Sequence, residues 1–201
     1  MVDILYGNVA VEILGEQLKI PLVNYSIGGA TSGKFNYSSW LDTLGPTGLL
    51  GQVEKFKTDL KRKLADSNAL YFIFISANDF YYYMDYNQPG TIRQVADWSI
   101  SNIVTAIQTL SDLGARHFFI IGSADLSLNP YEIITQRIDS AQLFTSYFNS
   151  KLAMSLNQLP PDRYASLQIF DLAKFNLLIM SKAKTYGIDE LYIPYQMTFL
   201  K

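Results

Sequence analysis

NYSIGGATSGKF, residues 24–35, places Gly28, Gly33 and Lys34 at the G-x-x-x-x-G-K spacing of a loop that cradles phosphate. Such a loop needs a strand before it, a Ser or Thr after the Lys to hold magnesium, and a helix that opens there and turns its free amides toward the anion. Position 35 is Phe, and FNYSSWLDTLGPTG after it is rich in turn formers, so no nucleotide site is expected. Two readings stay open. The glycines either make a tight turn after a strand, or they act together with FIFISANDFYYY, residues 72–83. The carboxyl ends of parallel strands gather at one edge of a sheet, where ligands bind. A glycine turn there offers a backbone N–H and Asn78 a side-chain N–H, the donor pair that holds negative charge on a carbonyl oxygen under attack.

Neighbouring residues each have a plain reading beside a chemical one. Asp79 ties down a loop amide or orients a ligand, and the first reading is favoured. Tyr81, Tyr82 and Tyr83 in FYYYMDY form a rim for an acyl chain or a sugar, or cover a nearby loop. Ser26, Ser32, Ser76 and Ser123 lie near the same edge, yet a serine without a base is barely nucleophilic, so they read as turn and hydrogen-bonding residues. His117, the one histidine, opens its strand at the opposite edge. A five-residue strand separates the two edges by roughly 15 to 20 Å at about 3.3 Å per residue, so His117 reads as a packing or surface residue.

The elements that would position these groups follow from the apolar pattern. PLVNYSIG (21–28), ALYFIFIS (69–76), HFFIIGS (117–123) and SLQIFDL (166–172) have strand character, and the middle two are apolar on both faces, as buried parallel strands are. Helical steps of three and four link Leu49, Val53, Phe56, Leu60 and Leu64; then Ile92 through Leu110, with Gly114 as a stop; then Ile134 through Leu156, ended by Pro160-Pro161. Strict alternation predicts an α/β fold with right-handed crossovers and a parallel sheet covered on both faces.

Composition narrows the function classes. The 201 residues, 49% hydrophobic and 17% charged, suit one compact domain with a substantial core. Net charge is −2 with scattered lysines and arginines, which argues against nucleic acid. Absence of cysteine and a single histidine leave no thiolate or imidazole metal cluster, and no cofactor is expected. MVDILYGNVAVEILGEQ does not read as a signal peptide, and no apolar stretch nears the roughly 20 residues of a bilayer span. The compartment stays open.

NYSIGGATSG, GLLGQVEKF, ALYFIFISANDFYYY, LSDLGARHFFIIGSADLSLNP, FTSYFNSKLAMSLNQLP and IFDLAKFNLLIMSKAKTYG resemble, in order and spacing, successive segments of the GDSL-type lipases and esterases, the SGNH hydrolases. The resemblance runs from about Gly7 to Gly187. It implies a three-layer, flavodoxin-like α/β/α fold and hydrolysis of carboxylic esters through an acyl-serine. It carries the family's oxyanion glycine onto Gly29, with Gly28 as the other register, and its oxyanion asparagine onto Asn78. The resemblance implies a small ester, a lipid or another acylated compound, as the partner, and Asp79, Tyr81 and Tyr82, by their place after Asn78, are read as substrate-side residues. The family's Gly-Asp-Ser block before the glycine loop and its Asp-x-x-His block near the carboxyl terminus have no match here; Ser76 stands where the third block usually has Gly. The expectation is one SGNH-like domain over 1–201, truncated at both ends and lacking its first strand, which keeps the oxyanion half of the machinery. The alternative is a catalytically dead remnant that binds a lipid or glycan.

Overall fold

The computed structural model describes residues 9–188. Chain order begins with α1 (Ala10–Leu18) and α2 (Leu49–Asp59), followed by β1 (Leu70–Phe74), α3 (Ala77–Asp85), α4 (Ile92–Asp112) and β2 (His117–Ile121). It continues with α5 (Pro130–Ile134), α6 (Ile138–Asn157), β3 (Ser166–Phe170) and α7 (Leu172–Ser181). The strands form a parallel sheet in the order β1, β2, β3, with Leu70 beside His117 and His117 beside Ser166. Helices span each crossover, so the α/β alternation predicted from the pattern is present.

Strand alternation divides the sheet's two faces. Ile73, Phe118 and Ile120 point to one face, at 4%, 0% and 0% exposure, and join a single core with Ile103 and Ile107 of α4 and Phe144, Phe148 and Leu152 of α6. Fully burying each such side chain is worth about 1.5–3 kcal/mol. The opposite face carries a row of rings, Phe72 to Phe119 at 5.2 Å and Phe119 to Phe170 at 6.1 Å, continued to Phe175 of α7 at 5.4 Å. At its β1 margin Leu70 and Phe74 remain 49% and 60% exposed.

Three expectations need correction. Residues 21–28 are not a strand: they run without ladder partners, and Ile20, Leu22 and Val23 are exposed. An extended segment becomes a strand only where a neighbour completes its hydrogen bonds, and among the described residues nothing pairs with the outer edge of β1. Direct pairing of 21–28 with β1 therefore does not occur. The helix expected from Ile134 to Leu156 is two helices, broken where Gln136 takes a left-handed φ of 58°. The helix from Leu49 ends at Asp59, because Lys61 and Arg62 are left-handed too, and Leu64 is exposed.

Candidate active site

The carboxyl end of β1 passes directly into α3, so Asn78 and Asp79 occupy that helix's first turn. An acidic residue is favoured there by the helix dipole. Asp79 reaches across to the glycine loop: Ser32 donates to its carboxylate from the backbone N–H at 3.0 and 3.1 Å and from its hydroxyl at 2.8 Å. Ser99 of α4 donates at 3.2 Å, and Asn102 secures the Ser32 hydroxyl at 3.0 Å. Although Asp79 as a residue is only partly buried, its carboxylate is enclosed by the fully buried Ser32 and Ser99. That loss of hydration outweighs the donated hydrogen bonds and pushes the carboxyl up to about 6.

The glycine loop closes on itself through a bridge between Ala30 and Asn36. Asn36, 3% exposed, donates to the Gly28 carbonyl at 3.0 Å and to Thr47 at 3.1 Å, while Asp42 accepts its backbone N–H at 2.8 Å. Gly29 sits against this bracket with φ 80°; a Cβ there would lie 2.5 Å from the Asn36 side-chain oxygen Oδ1. The packing and the left-handed backbone both require glycine. Asn78 donates its side-chain N–H to the Ala30 carbonyl at 2.9 Å. Its second amide hydrogen and the Gly29 N–H have no partner among the described residues. Two free donors thus stand on adjoining segments at the carboxyl edge of the sheet.

Beside Asn78 opens a cavity of about 410 Å³ lined by Tyr37, Asn78, Tyr81, Asp85, Asn129 and Tyr131. Asp85 pairs with Arg137 and accepts the Tyr37 hydroxyl at 3.0 Å; Tyr81 accepts from Asn129 at 2.8 Å. Burial, and then the bond to Asp85, push the Tyr37 hydroxyl up to about 12, so it remains a donor. Glu132 is fully buried, and neither of its carboxylate oxygens is hydrogen-bonded. Burial raises its carboxyl, and the nearby Arg137 only partly opposes this.

A family model described as GDSL-like lipase/acylhydrolase matches residues 5–192. The chain belongs to that family. A search of curated proteins returned no match.

For a GDSL-like chain the placement of each candidate is informative. Gly28, Gly29, Asn78, Asp79 and Tyr81 come together at the carboxyl edge. Tyr82 does not line the cavity; 100° further round α3, it packs on Tyr86 at 5.0 Å and is 39% exposed. Tyr83 turns away as well and donates to the Gly90 carbonyl. Reading 80–86 as a helix rather than a loop is the signal that separates Tyr81 from its neighbours. Tyr37, Asp85, Asn129 and Tyr131 are contributors that sequence reasoning missed, and the N-capping Asn129-Pro130 start of α5 is the one local sign among them.

Of the remaining candidates Ser32 shares the glycine loop, as the hydrogen-bond partner of Asp79. His117 shares a 2.8 Å hydrogen bond with Ser166 on the adjacent strand, at the amino edge of the sheet. Ser32, Ser76 and Ser123 are buried, and Ser26 bonds Asn24 at 2.6 Å. Lys34 is exposed and no helix opens behind it, so the G-x-x-x-x-G-K spacing makes no phosphate loop. Among the described residues no group of three His, Asp or Glu could hold a metal ion, and no helix is long and apolar enough to cross a membrane.

Proposed function

We propose that this GDSL-like domain acts on carboxylic esters, with Gly29 and Asn78 as the oxyanion donors of an acyl-serine mechanism. The observation that carries this reading is the pair of unengaged N–H groups on two segments joined by the Asn78 to Ala30 hydrogen bond. A carbonyl oxygen that becomes tetrahedral between them gains charge, and fixed donors stabilise that charge without reorganising. The serine nucleophile and histidine base lie outside residues 9–188 in this proposal, because His117 is held at the far edge, no imidazole stands beside the edge serines, and Ser32, which donates to the Asp79 carboxylate, is fully buried. Without them the donors alone sustain a residual acceleration on the order of 10³-fold over water.

The test is p-nitrophenyl acetate turnover by protein expressed from the full source locus, with and without Asn78→Ala. Expected is a loss of about 10² to 10³ in kcat with KM little changed, as for removal of one oxyanion donor. Unchanged kcat would remove Asn78 from the mechanism. Absence of turnover in both proteins would favour the second reading, a binding remnant of the fold, which the unmatched nucleophile and base blocks support.

A further inference from the structure

We infer that the cavity beside Asn78 is a subsite for a neutral, hydroxyl-rich ring, a pyranose, so that the ester this site takes is an acylated glycan. The inference rests on the hydrolase reading for the ester and on the cavity alone for the sugar. At about 410 Å³ the cavity falls within the usual range for small-molecule sites, roughly 300–1,000 Å³. All six lining residues carry a polar group, and none is aliphatic. A long acyl chain would strip water from these groups and return no hydrogen bonds. A pyranose offers both halves of what the walls can use, a flat C–H face for an aromatic ring and a rim of hydroxyls.

The groups left unengaged fit that rim. Tyr81 accepts from Asn129 and so keeps its hydroxyl proton to donate. The Tyr131 hydroxyl has no partner among the described residues, and its ring, 46% exposed, stands edge-on to Tyr81 at 6.4 Å and 84°. One ring can therefore lie under a sugar while the other bounds its edge. Asn78 adds a free carbonyl oxygen. Charge then selects against anionic headgroups: Asp85 lines the cavity, while its partner Arg137 is not a lining residue, is committed to that ion pair and lies over one face of the Tyr131 ring at 5.9 Å. A phosphate or a free carboxylate would meet the Asp85 carboxylate and no cation among the lining residues.

The full chain is tested by saturation-transfer NMR against millimolar cellotriose, xylotriose, mannotriose and chitotriose, with octanoate as the aliphatic probe. At least one glycan should receive saturation on its ring C–H protons. Tyr131→Ala should weaken that binding at least about tenfold, whereas Tyr131→Phe, which keeps the ring, should weaken it less than about threefold. Octanoate should neither bind at the site nor displace the glycan. If no glycan binds, if Tyr131→Ala leaves binding unchanged, or if octanoate competes, the subsite is not for a sugar. Because the probes carry no ester, the two readings fail separately. Asn78-dependent turnover without glycan binding removes only the subsite; glycan binding without turnover removes only the hydrolase.

Discussion

Gly29 and Asp79 show how single residues set the loop that bears the donors. A methyl group at position 29 would meet the Asn36 side-chain oxygen Oδ1 at 2.5 Å on a backbone with φ 80°, where an L side chain is already strained. Gly29→Ala should destabilise the protein by about 1–3 kcal/mol in denaturant unfolding, whereas Gly28→Ala, which meets nothing within 4 Å, should change it far less. Equal effects would mean that the Asn36 bracket does not hold Gly29. Asp79 makes a prediction in pH. Its carboxyl is raised from the ordinary 3.8 to about 6 by burial, so the native state binds the proton more tightly than the unfolded state. Its favourable contribution is therefore complete below about pH 4 and is lost as pH rises through about 6. The stability difference between wild type and Asp79→Asn should shift against the wild type across that window, by on the order of a few kcal/mol, and stay level above it. A shift in the wild type's favour would mean that the hydrogen bonds from Ser32 and Ser99 outweigh burial.

Elements were legible where local pattern and tertiary demand agree. β1, β2, β3 and α4 stand where apolar periodicity placed them, because each strand has a parallel neighbour to pair with and α4 packs along its length. Residues 21–28 had the same local character and failed, since a strand needs a neighbour and apolar sequence cannot supply one. The tyrosines after Asn78 were half legible: α3 sends Tyr81 into the cavity and Tyr82 away from it. Tyr37 was not legible at all, and Asn129 only as the helix start before Pro130, because their partners Asp85 and Tyr81 lie 48 residues away in sequence. The start of α2 shows tertiary contact overriding propensity. Alanine is the better helix former by about 1 kcal/mol, yet a Cβ on Gly51 would stand 2.4 Å from the Pro46 carbonyl oxygen. Gly51→Ala should therefore lower the unfolding midpoint, and a rise would show that Pro46 can move aside.

Across the whole molecule the two faces of one sheet are unequal, and this separates what the pattern of β1 and β2 foretold from what it could not. Apolar residues on both faces of these strands predicted helices above and below. The described residues bury the centre of one face, with Ile73, Phe118 and Ile120 at 4%, 0% and 0% exposure among α4 and α6 side chains, while Phe74 on the other face is 60% exposed. Both are phenylalanines on parallel neighbours of one sheet, so substitution weighs the faces with chemistry held constant. Phe118→Ala should destabilise by about 3–5 kcal/mol, because the site is close-packed and cannot collapse around the missing ring. Phe74→Ala removes a ring still largely in water and should change stability by less than about 1 kcal/mol. Since the core residues form one cluster that α3 shares through the fully buried Phe80, Phe118→Ala should lower stability in a single transition that takes the Asn78 turn with it. A loss near 3 kcal/mol for Phe74→Ala would instead show that, in the full chain, the second face is covered as firmly as the first.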